Sequence, residues 1–284
     1  MFSRVKRYLY RFFCRIYRVC GIQSDVMLSR RSYAKPKILL NNFKEKDSLL
    51  LHRTLLWDEC EPIGDMAYIC SVRKYTHKIV HLLWNGKEVD VLMRRKGYEY
   101  YFDYPRRIMQ ADLARYAILY HYGGMYLDFD VSMHNSLDEL FAETGLREED
   151  GLPLEYCILF EEHRWKNKEE AVSEKEQPIR SFMAPEYHTE ALVRVANYAM
   201  ICTPGHPFML KLIEECQRRA VLKPTCDYDV LFITGPDVVS HVYHICSKEL
   251  KQKSNVVLIS REKHHDFIVH HCAGGWRISK DNAL

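Results

Sequence analysis

The sequence has no C-x-x-C pair, no internal repeat, no low-complexity tract and no apolar run long enough to span a bilayer. Ten cysteines are present, but Cys14, Cys20, Cys60, Cys70, Cys157, Cys202, Cys216, Cys226, Cys246 and Cys272 are scattered singly. That spacing argues against a structural zinc site and suits a reducing compartment better than a disulfide framework. Acidic side chains are missing before Asp25, whereas Arg4, Lys6, Arg7, Arg11, Arg15 and Arg18 crowd that end. The formal net charge of +3 therefore leaves the remainder slightly acidic. No nucleic-acid partner is expected, because phosphate-backbone binding needs a basic footprint on the folded domain itself. What is present is ordinary globular material: 284 residues, 47% hydrophobic and 28% charged, enough for one large α/β domain with a filled core.

Read at helical period, Phe2, Val5, Leu9, Phe12, Ile16 and Val19 form one stripe and the arginines another. A Phe-rich face beside an arginine face marks a helix lying in a membrane surface. It is not a comfortable transmembrane span, since a span needs about 20 mainly apolar residues and a central arginine costs roughly 2.5–3.5 kcal/mol. The expectation is a peripheral membrane protein, on the cytoplasmic face or Golgi-associated. The stripe also fits a helix packed on its own domain, or an arginine-rich transit peptide.

Three parts follow: an amphipathic helix over residues 1–22, a linker over 23–35 and a catalytic domain over 36–284. In the domain, residues 37–41 and 78–84 read as strands, 64–75, 89–95 and 106–122 as helices, and 125–131 as a third strand after Gly123-Gly124. Strand alternating with helix is the grammar of a mainly parallel sheet flanked by helices. Further strands are expected at 154–160, 256–259 and 267–271, and helices at 207–220 and 237–248. Residues 161–190 read as a polar loop near an acceptor site, and 191–201 carry a mixed pattern.

The strongest local signal is Gly123-Gly124-Met125-Tyr126-Leu127-Asp128-Phe129-Asp130. Carboxylates one residue apart on a strand face opposite ways, so a shared ligand requires the second to sit where the strand ends and turns. Oxygen-rich pairs there suit magnesium or manganese, which neutralise a diphosphate. Upstream, Asp112 and Arg115 share a helix face, which by itself reads as an ordinary salt bridge. Trp84 falls at a strand's carboxyl end but reads more readily as a core aromatic, as does Tyr126.

Residues 110–131 together resemble the donor-binding signature of the sugar-binding Asp-x-Asp glycosyltransferases. These are the yeast outer-chain and inositol-phosphoceramide mannosyltransferases and bacterial capsule enzymes (glycosyltransferase family 32), and more distantly the large clostridial glucosylating toxins. The likeness extends in pieces: Pro36-Lys37-Ile38, Leu83-Trp84-Asn85, Asn197 with Pro204-Gly205-His206-Pro207-Phe208, Thr234-Gly235-Pro236, and His270-His271-Cys272-Ala273-Gly274-Gly275-Trp276. Leu40 and Phe43 stand where the family usually has His and Trp, and Gly275 where it has Ser.

The resemblance implies a GT-A-like α/β domain using a UDP- or GDP-sugar with Mn2+ or Mg2+, and a glycan or lipid-linked acceptor. It also implies retention of configuration and an α-linked product, by front-face attack or double displacement. Asp112 would accept hydrogen bonds from donor-sugar hydroxyls, with Arg115 orienting it or touching sugar and phosphate. Asp128 would contact ribose or metal and Asp130 would ligate the metal. His270, or failing that His271, would lie near the metal or diphosphate from the other end of the sheet. Tyr126, Asn197 and Trp276 would complete the donor pocket. Two competitors remain: a haloacid-dehalogenase-type phosphatase using Asp128 and Asp130, and a non-catalytic membrane adaptor whose acids are surface charge.

Overall fold

The computed structural model describes residues 49–56, 66–77, 79–146, 152–167, 169–171, 192–246 and 248–272. The expected helix over 1–22, the linker over 23–35, the opening strand at 37–41 and Trp276 lie outside the described residues.

The first described strand, β1 (Leu50–Leu55), is absent from the expectations above. Its His52, Arg53 and Thr54 interrupt the apolar run that would mark a buried strand, yet all six positions are buried. After α1 (Met66–Tyr75), β2 (Val80–Asn85) returns parallel to β1. The Asn85-Gly86 step starts α2 (Gly86–Lys96), three residues before the helix expected over 89–95. Asn85 Oδ1 accepts from the Glu88 backbone N–H at 3.0 Å, and Glu88 Oε2 accepts from Asn85 N–H at 3.0 Å, a reciprocal capping box. A 3-10 turn at Glu99–Asp103 leads into α3 (Arg107–Tyr122). The chain then enters β3 (Gly124–Leu127), parallel to β1 on its other side.

The expected strand over 125–131 is broken in two. β3 stops at Leu127, the backbone turns with Val131 N–H on Asp128 O at 3.3 Å, and β4 (Val131–Met133) leaves the main sheet. Beyond α4 (Leu137–Glu143) come β5 (Cys157–Arg164) and β6 (Val193–Cys202). The polar letters of 161–164 therefore belong to a strand rather than a loop, and the mixed 191–201 pattern is the longest described strand. Helices α5 (Pro207–Arg219), α6 (Asp227–Ile233), α7 (Pro236–Ile245) and α8 (Lys248–Lys253) follow, so the helix expected over 237–248 ends at Ile245. The last described elements are β7 (Val256–Ile259), α9 (Arg261–Phe267) and β8 (Ile268–His270).

Six strands form one sheet in the order β2-β1-β3-β6-β5-β7. β6 runs antiparallel to both neighbours and every other pairing is parallel, so the sheet is mainly parallel as expected. Successive residues serve opposite faces. Leu50, Tyr126, Leu159 and Met200 pack into the core shared with α3, α5 and α7, while Leu51, Met125, Leu127, Ile158 and Ile201 pack into a second core with α4 and α9. Both faces of the sheet are therefore covered. A separate two-stranded ribbon pairs β4 with β8 antiparallel, setting Val131 opposite His270. Among the described residues, no helix is long and apolar enough to cross a membrane.

Candidate active site

The site is built where α3, β3 and β6 meet. Residues 109–119 of α3 are all buried, so the helix is core on every side and any charge it carries must be paired inside the protein. Its end is set by Gly123 and Gly124, with φ of 62° and 97°. A Cβ on Gly123 would lie 2.6 Å from Pro204 Cδ, and one on Gly124 2.5 Å from the Leu50 carbonyl oxygen. The Gly-Gly step is thus demanded twice, by left-handed backbone and by contact with neighbouring chain.

His52 locks the same corner. Its Nε2–H donates to the Gly123 carbonyl at 2.9 Å, and Nδ1 accepts from the Trp84 indole at 3.1 Å. The ring is neutral: burial lowers its pKa to about 4, against the raising effect of the Gly123 bond. Trp84 is therefore a core residue holding His52.

Asp112 and Arg115 are buried and paired, Arg115 Nη2 lying 3.1 Å from Asp112 Oδ1. Asp112 also accepts from Asn197 Nδ2 at 3.0 Å and from Thr234 Oγ1 at 2.9 Å. Three of the roughly four acceptor positions of the carboxylate are filled by protein, leaving about one for a ligand hydroxyl. Burial raises its pKa above the usual carboxylate range, against the pull of Arg115, Thr234 and Asn197. Arg115 is held firmly protonated: burial opposes its charge, but Asp128, Tyr126 and Asp112 outweigh that.

Arg115 Nη1 also reaches Asp128 Oδ2 at 3.2 Å and the Asn197 carbonyl at 2.8 Å. Tyr126, expected in the donor pocket, is buried with its ring 4.9 Å from the Arg115 guanidinium, and its hydroxyl donates to Asp128 Oδ1 at 2.8 Å. That hydroxyl in turn accepts from Thr54 Oγ1 at 2.8 Å. Tyr126 and Asn197 thus position Asp128 and Asp112 from behind. Each Asp128 oxygen is thus held by one protein donor, Arg115 on Oδ2 and Tyr126 on Oδ1.

Asp130 points elsewhere. Its Oδ2 lies 3.3 Å from His270 Nε2, a pairing set up by the β4–β8 register. Burial works against the imidazolium, but Asp130 beside it raises the His270 pKa overall. The His270 ring stacks on Tyr198 with centroids 3.9 Å apart. His271, one residue on, turns the other way: its Nε2 meets Ser132 Oγ at 2.9 Å and its ring stacks on Tyr68. Of the two histidines the structure brings His270 to the acids.

No three His, Cys, Asp or Glu side chains converge on a common point among the described residues. The donor chemistry nevertheless suits a hard divalent ion. Asp128 and Asp130 are each partly open, with side-chain exposures of 27% and 23%. His52, Thr54, Tyr198 and Thr234 escaped the sequence reading as site residues. Only Thr234 carried a signal, as part of the Thr234-Gly235-Pro236 landmark.

Residues 62–146 match the family described as "Glycosyltransferase sugar-binding region containing DXD motif". Three Schizosaccharomyces pombe proteins are similar. Inositol phosphoceramide mannosyltransferase 2 is 27% identical over 250 residues, covering 80% of this chain and 60% of the relative. Mannosyltransferase 3 is 55% identical over 149 residues, covering 50% and 29%. Mannosyltransferase 1 is 35% identical over 66 residues, covering 22% and 20%. The chain thus spans at most 60% of the length of these curated relatives. Among solved structures, PaToxG glycosyltransferase is similar at a TM-score of 0.41 and 12% identity, covering 72% of this chain and 69% of that one. Mouse xyloside xylosyltransferase 1 is similar at 0.37 and 11%, covering 81% and 87%. The acid pair, the Gly-Gly step and the Asp112–Arg115 pair all fall inside the segment, residues 62–146, that matches the DXD sugar-binding region of glycosyltransferases.

Proposed function

We propose that the protein is a retaining, metal-dependent glycosyltransferase that moves a sugar from a nucleotide sugar to a hydroxyl of a glycan or lipid-linked acceptor, forming an α-glycosidic bond. The observation that carries this reading is the Arg115 guanidinium, buried and shared between Asp112 and Asp128 within the sugar-binding segment. A fixed cation between two carboxylates makes a rigid polar wall: Asp112 keeps an acceptor position for a sugar hydroxyl, and Arg115 offsets negative charge on a departing diphosphate. Asp128 and Asp130, with His270, would hold Mn2+ or Mg2+, which supplies further charge compensation for the leaving group. Because Tyr126, Thr54 and Asn197 hold the wall from behind, little reorganisation is needed as charge develops.

The relatives' names favour mannose as the sugar and inositol phosphoceramide as the acceptor, which makes GDP-mannose the first donor to try. The basic, Phe-rich residues 1–22 support a peripheral place on a membrane carrying that lipid, on the cytoplasmic or Golgi surface. The test is a panel of nucleotide sugars with Mn2+, scored by nucleoside diphosphate release, followed by GDP-mannose with inositol phosphoceramide in mixed micelles. Metal-dependent release from one donor, with product retaining the anomeric configuration, is the expected outcome. No release from any donor would remove the assignment.

A further inference from the structure

β5 and β6 pair in register from Cys157 to Leu159 and then lose it. Leu159 faces Met200, Glu161 faces Val195 and His163 faces Arg194. Between the last two pairs β5 has one residue more than β6, so Glu162 is the extra residue of a β-bulge, a device that re-aims a side chain beside a site. Between the first two pairs the excess is on β6, and it contains Asn197 and Tyr198, both already in contact with site residues.

Glu162 sits among Arg194, His270 and Asp237, and it acts electrostatically on Tyr198. It therefore stands beside the Asp130–His270 pair, while the Arg115 network occupies the other flank of the same turn. Glu162 is partly exposed as a residue, yet its Oε2 is buried with no hydrogen-bond partner. Nearby donors are engaged: Arg194 Nε donates to Asp237 Oδ1 at 3.0 Å, and His270 Nε2 faces Asp130. Burial raises the Glu162 pKa, against Arg194 and His270 and helped by Asp237. A buried acceptor without a donor is a standing cost to the fold, and such costs persist where a ligand supplies the partner.

We propose that Glu162 is a substrate-binding carboxylate that accepts a hydrogen bond from a hydroxyl of the glycosyl acceptor. This rests on the glycosyltransferase reading. A polyhydroxylated acceptor brings the donor hydrogen that Oε2 lacks. The donor sugar already has Asp112 on the opposite flank.

The experiment compares wild type, Glu162→Gln and Glu162→Asp as full chains in three measurements. These are GDP-mannose hydrolysis without acceptor, transfer to inositol phosphoceramide in mixed micelles, and thermal unfolding. The expected result is that Glu162→Gln lowers kcat/KM for the acceptor at least tenfold more than it lowers hydrolysis. Its Tm should rise by about 2–4 °C as a buried unpaired charge is removed. Glu162→Asp should recover part of the acceptor affinity. Three results would each overturn the proposal: hydrolysis and transfer falling in parallel, acceptor kinetics unchanged, or a fall in Tm with the activity loss. A weaker Mn2+ affinity in Glu162→Gln would also overturn it, making Glu162 a metal ligand. Failure of the glycosyltransferase reading itself would appear in the wild-type arm, as no nucleotide release.

Discussion

Arg115 Nη1 contacts Asp128 Oδ2 at 3.2 Å, joining the buried interior of α3 to the turn that ends β3. The same guanidinium holds Asp112 through Nη2, so one cation serves two carboxylates that differ in burial. Arg115→Met would leave Asp112 buried without its cation. Breaking a buried pair from one side costs about 3–5 kcal/mol, so urea denaturation should show a loss of that order. A loss below about 1 kcal/mol would mean that Asp112 is held neutral and that Arg115 serves only the ligand.

Asp130→Asn should behave differently, because Asp130 is partly exposed and its described partner is His270. Nucleoside diphosphate release should fall at least ~100-fold, about 3 kcal/mol in the transition state, while the unfolding transition stays near wild type. A Mn2+ titration of both proteins checks the cause. Raised metal demand in the variant is expected, and an unchanged titration would sink the metal role.

Gly124→Ala should destabilise the domain by about 2–4 kcal/mol, since φ of 97° disfavours any side chain and the new Cβ would meet the Leu50 carbonyl at 2.5 Å. The adjacent Asp128 would move with β3, so activity should fall along with stability. Thermal melts and donor hydrolysis on the same preparation test both.

Acid should weaken the contribution that His52 makes to the fold. His52 has a folded-state pKa lowered from 6.5 to about 4, so the unfolded chain takes up the proton first. Stability is then full above the unfolded value and falls as pH drops toward the folded one, by up to about 3 kcal/mol for this residue. The fall in denaturation midpoint from pH 7 to 4.5 should be smaller in His52→Asn than in wild type, a comparison that cancels the opposite contribution of buried Asp112, whose pKa is raised. Equal falls in the two proteins would show that His52 charges in place.

Removing residues 1–22 should release the protein from anionic vesicles while donor hydrolysis survives. Each of the six basic residues adds roughly 1 kcal/mol near an anionic surface, so binding should also weaken with salt. Flotation of full-length and truncated protein with anionic and neutral liposomes is the measurement. Full-length protein that stays unbound on anionic vesicles would assign the stripe to packing on the domain.

The local parts of this protein were determined by its sequence alone. Helical period and the closing glycines marked α3 to within a residue of its observed start. The i, i+3 spacing put Asp112 and Arg115 on one face, and the acid pair implied a turn after β3. Such features depend on neighbours within a turn or two, where backbone geometry leaves few options. Tertiary structure alone decided the partners. Asn197 and Thr234 meet Asp112 across 85 and 122 residues, because β6 and the end of α6 are folded against α3. His270 rather than His271 reaches Asp130 because a two-stranded ribbon sets one register. Strand β1 hid behind its own His52, Arg53 and Thr54, and the first and last of these are bonded to Gly123 and Tyr126, about seventy residues along the chain. Glu162 is aimed by a bulge, a one-residue mismatch between two strands that neither strand's sequence contains by itself.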